Sequence, residues 1–249
     1  MFHIFSKNEF IADKLEGFVD IHNHILPGID DGAANVKESI LLIKSFMELG
    51  VTDFICTPHI MSGYYENTKE TIKSAYHHLV DELPKHNLNS IQIRYAAEHM
   101  VDSNIEQLLK TNAHLCLDEQ HLLIEMSYLQ PSINFSTTID LILEKQLFPV
   151  FAHPERYVYL HGDLKKYEHY RQSGLKFQLN LLSIFGYYGK GIQKVALQLL
   201  KAGYYDFVAT DTHGMRHLNV LKSQKIRQQH MHQLMGLLEN TKEQFKNTV

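Results

Sequence analysis

Seven short apolar runs, each followed by a helix-like stretch, constrain this chain of 249 residues more than any other feature. The runs are "FVDIH", "DFICTPH", "IQIRYAAEH", "HLLIEM", "FPVFAHPE", "LKFQLNL" and "DFVATDTH". Their β-branched and aromatic content suits strands. Between them, apolar residues recur at helical spacing: Val36, Ile40, Ile43 and Met47; Ile192, Val195, Ala196 and Leu199; Met231, Leu234, Met235 and Leu238. Asn67 followed by Glu70 predicts an N-cap and its capping-box partner for the helix after the second strand. Strand-helix alternation implies a parallel sheet, since parallel neighbours need a crossover and a helix supplies it. No Pro/Gly/Ser-rich linker, internal repeat or low-complexity stretch divides the units, so one domain over residues 1–249 is expected.

Polar residues fall at one end of these strands. The first run carries His22 and leads to His24, the second ends in His59, the third contains Glu98, the fourth Glu125, the fifth His153, and the last Asp211 and His213. In a strand alternate residues share a face, so His22 and His24 project side by side, as a chelate would require. His-x-His alone is a weak signal in a chain with 17 histidines. In a closed β/α barrel all C-terminal strand ends open onto one rim and converge, whereas an open sheet strings them along an edge. A barrel is therefore the favoured architecture, with the rim as the site. Imidazoles with carboxylates and no thiolate suit open Mn, Fe or Zn coordination better than a closed structural zinc site. About eight to nine candidate ligands, at three to four per ion, support two or three ions, and three is the expectation.

Composition removes several function classes. A net charge of -4 and a pI near 6.5 give no broad pull toward nucleic acid or anionic lipid. The one dense basic stretch, "LKSQKIRQQH", reads as a solvated helix face. The N-terminus "MFHIFSKNEF" has no apolar run of signal-peptide length, and no segment is long enough to span a bilayer, so a cytoplasmic protein without direct membrane insertion is expected. The two cysteines, Cys56 and Cys116, lie far apart and suit a reducing compartment. Neither begins the Cys-x5-Arg loop of a thiolate phosphatase, because Ser62 and Leu122 stand at the arginine positions.

The motifs "DIHNH", "TPH", "AEH", "HPER" and "DTH", in this order, resemble those of the PHP (polymerase and histidinol phosphatase) superfamily. "DIHNHILPGIDDGA" with "TPH" and "AHPERY" is more similar to its bacterial tyrosine-protein phosphatases of the CpsB/YwqE type, associated with capsule and exopolysaccharide export. The resemblance runs from Phe18 to about His217. It implies a distorted (β/α)7 TIM-like barrel, the PHP fold, with three divalent metal ions, manganese first and Fe, Zn or Mg as alternatives. By the same resemblance His22, His24, Glu98 and Asp211 hold one ion; a bridging Glu98 shares the second with Glu125 and His153; His59 and His213 hold the third with Asp31 or its neighbour Asp30, Asp31 being preferred. Arg156 of "HPER" matches a phosphate-binding position, and a second arginine is expected after the last histidine, where this chain has Arg216 at a shorter spacing.

The implied chemistry is hydrolysis of phosphotyrosine by a metal-activated water, with no protein nucleophile. A phenol leaves with a pKa of about 10, so aryl esters need the least general-acid help. Tyr64 and Tyr65 in "HIMSGYYEN", with Phe185, Tyr187 and Tyr188 in "FGYYGKG", are candidates to wall the rim and stack on a substrate ring. The partner implied is a phosphotyrosine protein, the tyrosine-rich tail of a membrane-bound bacterial tyrosine kinase. Three alternatives stand beside this. A histidinol-phosphate phosphatase-like or nuclease-like relative is one, although an acidic chain disfavours polymeric nucleic acid. A metal-dependent amidohydrolase is another, but such enzymes place a lysine and two histidines where this chain has Glu98 and Glu125. A metal-stabilised binding module recruited to an export complex is the third, and turnover separates it from an enzyme.

Overall fold

The computed structural model describes residues 8–246. The N-terminal stretch read for a signal sequence therefore lies outside the described residues up to position 7. In chain order the strands are β1 (Glu9–Phe10), β2 (Val19–Asp20), β3 (Asp53–Cys56), β4 (His59–Ile60), β5 (Gln92–Tyr95), β6 (Glu98–Met100), β7 (His121–Glu125), β8 (Phe148–Ala152), β9 (Lys176–Asn180), β10 (Phe207–Ala209) and β11 (Lys225–Ile226). The helices are α1 (Val36–Met47), α2 (Lys69–Val80), α3 (Ile105–Thr111), α4 (Phe135–Glu144), α5 (Leu164–Gln172), α6 (Lys190–Ala202), α7 (Met215–Ser223) and α8 (Gln228–Phe245).

The fold is mixed α/β with parallel central strands. Six of them form one sheet in the order β10-β9-β8-β7-β6-β4, and β2-β3-β5 form a second. The runs "DFICTPH" and "IQIRYAAEH" are thus each split between the two sheets, with breaks at Thr57 and Pro58 and at Ala96 and Ala97. Beyond the last rungs, Asn23 bridges Thr212 in parallel, the His24 amide donates to the Thr212 carbonyl, and the Asp211 amide donates to the His22 carbonyl. The outer strands β2 and β10 of the two sheets therefore meet at their C-terminal ends.

Alternate strand residues divide between two cores, as a pleat requires when both faces are buried. Leu122, Ile124, Phe151 and Val208 pack with the helices. Ile55, Leu123, Val150, Ala152 and Ala209 pack in a separate core that draws on both sheets, with Phe245 of α8 beside them. Thr241 of α8 accepts from the Val208 amide through Oγ1, so the C-terminal helix packs on the sheet.

Several sequence expectations shift locally. The cap of α2 is Thr68, which exchanges side-chain and backbone hydrogen bonds with Thr71, because Asn67 spends its amide on the carbonyls of Ile29 and His59. Met47 and Met235 are exposed; the buried faces use Leu42 and Phe46 in α1 and Leu237 in α8. The stretch "LKSQKIRQQH" is not one helix face: α7 stops at Ser223, Lys225 and Ile226 pair with β1, and α8 starts at Gln228. Among the described residues no helix is long and apolar enough to cross a membrane.

Candidate metal centre

Side chains from the ends of both sheets converge at one rim. Among the described residues, the groups able to hold a metal ion are His22, His24 and Asp211; His22, Glu98 and His153; His59, Glu98 and Glu125; and His24, Asp31, His59 and His213. They overlap through shared members, so they form one continuous centre. The sharing differs from the division the resemblance implies, since Glu125 stands with His59 and not with His153.

The histidines are pre-set by their second nitrogens. His22 Nδ1 donates to Gln178 Oε1 at 2.9 Å, and the orientation of that amide is fixed because its Nε2 donates to the Leu179 carbonyl. His24 Nδ1 donates to Asp30 Oδ2 at 2.8 Å, and His213 Nδ1 to the Asp211 carbonyl at 3.0 Å. Each ring is thereby left with an Nε2 lone pair facing the carboxylates, the arrangement that metal-ligating histidines require. Glu98 Oε2 lies 3.1 Å from His22 Nε2 and 3.0 Å from His59 Nδ1, and Glu125 Oε1 lies 2.9 Å from His59 Nδ1. Yet Glu98 Oε2, Glu125 Oε1 and His59 Nδ1 are buried without a hydrogen bond. Ligand atoms this close, buried and not donating to one another, are oriented for a cation between them.

The electrostatics agree. Burial is the largest single influence on His24 and His59 and opposes their charge, but Asp30 and Asp211 together outweigh it for His24, whose pKa is raised to about 10, and Glu125 and Glu98, with Asp31, raise that of His59 well above the usual imidazole range. Burial likewise works against ionised Glu98 and Asp211, yet the surrounding cations, His22 first among them, together hold both carboxyls well below the usual range. The centre thus attracts positive charge, which divalent ions supply.

Asp30 and Asp31 take different places. Asp31 is half-exposed and lies 3.4 Å from both His59 and His213. Asp30 is turned inward, where its carboxylate accepts from His24, from the Gly32 amide and from the His59 amide, outside all four groups. Two candidate ligands hold left-handed backbone without being glycine: His153 at φ 35° and Asp211 at φ 51°. Such geometry costs of order 1–3 kcal/mol and persists where the surroundings impose it. Here the His153 amide donates to the Gln178 carbonyl and the Asp211 amide to that of His22.

A cavity of about 550 Å³ opens beside the centre, lined by Asp31, His59, Glu98, Glu125, His153, Arg156, Asp211 and His213 at its inner end. Met61, Tyr64 and Tyr65 form one lip, and Tyr128 and Leu129 the other. Tyr65 stacks on His59 with ring centroids 5.3 Å apart, whereas Tyr64 is 80% exposed at the edge. The guanidinium of Arg156 lies 2.6 Å from Asp211 Oδ2 and over the rings of Tyr188 and Tyr128 at 4.2 and 4.7 Å. Arg216 is not brought to the cavity: it is exposed, with its guanidinium over Tyr187, because α7 carries it outward after Gly214.

Sequence reasoning missed Gln178, Asn180 and Tyr128. The first two sit two apart in the apolar run "LKFQLNL", so a pair of carboxamides on one strand face was the available signal. Tyr128 carried none beyond its place three residues after Glu125.

The fold and the rim define a class: an α/β protein with overlapping groups of histidines and carboxylates able to hold metal at its strand ends. Residues 18–237 match the model of the family described as capsular polysaccharide synthesis, CpsB/CapC, and the chain belongs to that family. It is 32% identical over 207 residues to the tyrosine-protein phosphatase YwqE of Bacillus subtilis, covering 81% of this chain and 79% of that protein. Identity to the putative tyrosine-protein phosphatase CapC of Staphylococcus aureus is 30% over 204 residues, 79% of this chain and 77% of the relative. For the tyrosine-protein phosphatase CpsB of Streptococcus pneumoniae it is 29% over 204 residues, 79% and 83% of the two chains. A crystal structure from work on YwqE and CpsB, described there as unique metal-dependent tyrosine phosphatases, superposes with a TM-score of 0.79 at 26% identity, over 93% of this chain and 95% of the other.

Proposed function

We propose that the chain is a metal-dependent protein-tyrosine phosphatase. The observation that carries this reading is Arg156, held against Asp211 at the junction of the metal centre and an aromatic-lipped cavity. Its planar fork suits two phosphoryl oxygens, while Asp211 Oδ1 faces His22, His24 and His213 at 3.4 Å each.

In this reading the two sheets, joined end to end at Asn23 and Thr212, make a distorted (β/α)7 barrel whose rim is the site. His22, His24, Asp31, His59, Glu98, Glu125, His153, Asp211 and His213 hold three divalent ions, manganese first. Bound there, the ions supply a water deprotonated near neutral pH and offset charge on the phosphoryl oxygens. Asp30 and Gln178 keep the histidine lone pairs turned inward. Tyr65 and Tyr128 hold the tyrosyl ring between the lips, and its departure as a phenolate needs little general-acid help. A thiolate route is disfavoured: Cys56 is fully buried with its thiol pushed up by that burial, and Cys116, pushed up to about 12, is away from the cavity. The substrate is a phosphotyrosine protein, the tail of a bacterial tyrosine kinase governing capsule or exopolysaccharide export, met in the cytoplasm.

The test is release of phosphate from a phosphotyrosine peptide, a phosphoserine peptide and histidinol phosphate by metal-stripped protein with Mn, Zn or Mg restored. Mn-dependent turnover selective for phosphotyrosine and lost in His22→Ala supports the proposal. Preference for histidinol phosphate would move the protein to the small-molecule branch. No release from any ester with metal bound would sink the phosphatase reading.

A further inference from the structure

Asn180 ends β9 on a strand to which neither sequence nor family resemblance gave a role at the site. It is fully buried, and every polar atom of its side chain is committed. Oδ1 accepts from the Leu182 amide at 2.9 Å, which fixes the amide orientation and turns Nδ2 toward the rim. The two Nδ2 hydrogens go to Asp211 Oδ2 at 2.8 Å and to the Tyr188 hydroxyl oxygen at 3.1 Å. These are the groups that hold Arg156: Asp211 Oδ2 accepts its Nη1, and the Tyr188 ring lies 4.2 Å from its guanidinium carbon. Behind Asn180, its own backbone amide donates to Glu155 Oε1 at 3.0 Å, and Glu155 Oε2 accepts from the Tyr205 hydroxyl at 3.0 Å.

We infer that Asn180 is a positioning residue that fixes Arg156 relative to the metal centre, by holding both the carboxylate and the aromatic ring against which the guanidinium rests. This deepens the phosphatase reading and rests on it. Asp211 divides its two oxygens, Oδ1 toward the histidines and Oδ2 toward Asn180 and Arg156. Without the amide, Asp211 Oδ2 and Tyr188 each lose a donor, and the guanidinium gains freedom to turn away from its phosphoryl-binding pose. Asn180 contacts Asp211 through Oδ2 and not through the Oδ1 that faces the histidines, so metal binding is expected to survive its loss.

The experiment is a double-mutant cycle on the full chain loaded with Mn. Turnover of p-nitrophenyl phosphate, the affinity for orthophosphate by calorimetry and the bound metal content are measured for wild type, Asn180→Ala, Arg156→Ala and the double variant. Asn180→Ala is expected to keep wild-type metal content, to raise KM and to weaken orthophosphate about tenfold, as for one lost hydrogen bond to a charged group. In the Arg156→Ala background the same change should cost no more than about twofold, because the two act as a unit. Equal effects in both backgrounds, unchanged orthophosphate affinity, or loss of metal in Asn180→Ala would overturn the inference. Should Asn180→Ala fail to fold, Tyr188→Leu decides by the same cycle, since it removes the ring and leaves the Asp211 contact. A wild type that releases no phosphate yet binds orthophosphate with the non-additive pattern would sink the phosphatase reading alone.

Discussion

Gly32 packs directly on the backbone of His24: a Cβ at position 32 would fall inside contact distance of the His24 carbonyl oxygen and its Cβ. The loop between them is tied by the Ala33 amide donating to the His24 carbonyl and by the Gly32 amide donating to Asp30. Since this loop presents Asp30 to His24 and Asp31 to His59 and His213, a side chain at position 32 must displace both aspartates. Gly32→Ala is expected to cost about 1–3 kcal/mol in denaturant unfolding, the usual range for overpacking. It should also lower the number of ions retained. Full metal content with unchanged stability would show that the loop does not depend on this close approach.

Gln178 makes a separable prediction about His22. With its amide oriented by the Leu179 carbonyl, it keeps the proton on His22 Nδ1 and the Nε2 lone pair toward Glu98 and Asp211. Removing such a support weakens metal affinity by about 10- to 100-fold without deleting a ligand. Gln178→Ala should therefore bind the wild-type number of ions at saturating Mn but release them at lower chelator concentration. Titration with a fluorescent chelator measures this, and an unshifted titration would remove Gln178 from the centre.

Much of the centre was legible because strand ends are where a β/α chain gathers its polar residues, so His22, His24, His59, Glu98, Glu125, His153, Asp211 and His213 could be named from spacing and converge in the structure. The choice between Asp30 and Asp31 was not legible, since adjacent residues in a turn differ only by a backbone dihedral that no pattern encodes. Arg216, expected only by resemblance and at a shortened spacing, is the second residue of α7 and lies exposed over Tyr187, outside the cavity, a placement that spacing alone did not reveal. The breaks that divide two strand runs between sheets were hidden too: Thr57 and Pro58 give some warning in the proline, but Ala96 and Ala97 read as ordinary strand.

Arg156 is held by a carboxylate and two aromatic faces, a setting that distinguishes arginine from lysine. An ammonium keeps the charge but has neither a plane to lie over Tyr188 and Tyr128 nor a fork for two oxygens. Arg156→Lys is therefore expected to lower kcat/KM on an aryl phosphate by roughly 10- to 100-fold, equivalent to about 1.5–3 kcal/mol for a hydrogen bond to a charged group. Metal content should not change. A lysine variant as active as wild type would mean that only charge matters at this position.

His99, next to Glu98 but turned away from the rim, is expected to contribute to the acid sensitivity of the fold. Its Nδ1 donates to the Leu123 carbonyl at 3.1 Å and its Nε2 accepts from the Leu115 amide at 3.3 Å, so the fully buried ring serves as a neutral link between β6, β7 and the segment before β7. Burial lowers its pKa from 6.5 to about 4. The unfolded chain therefore binds a proton that the folded chain refuses, and the contribution of the neutral ring is complete above about pH 6.5 and is lost as pH falls toward 4. Between pH 7.5 and pH 5 this removes about 2 kcal/mol from the folding free energy. His99→Gln retains one donor and one acceptor but cannot titrate. Unfolding of chelated protein in urea at both pH values should show wild type losing about 2 kcal/mol more than the variant, the carboxylates and other histidines being common to both. Equal losses would mean that the buried ring is not what the acid attacks, and would shift the sensitivity to the metal-free centre itself.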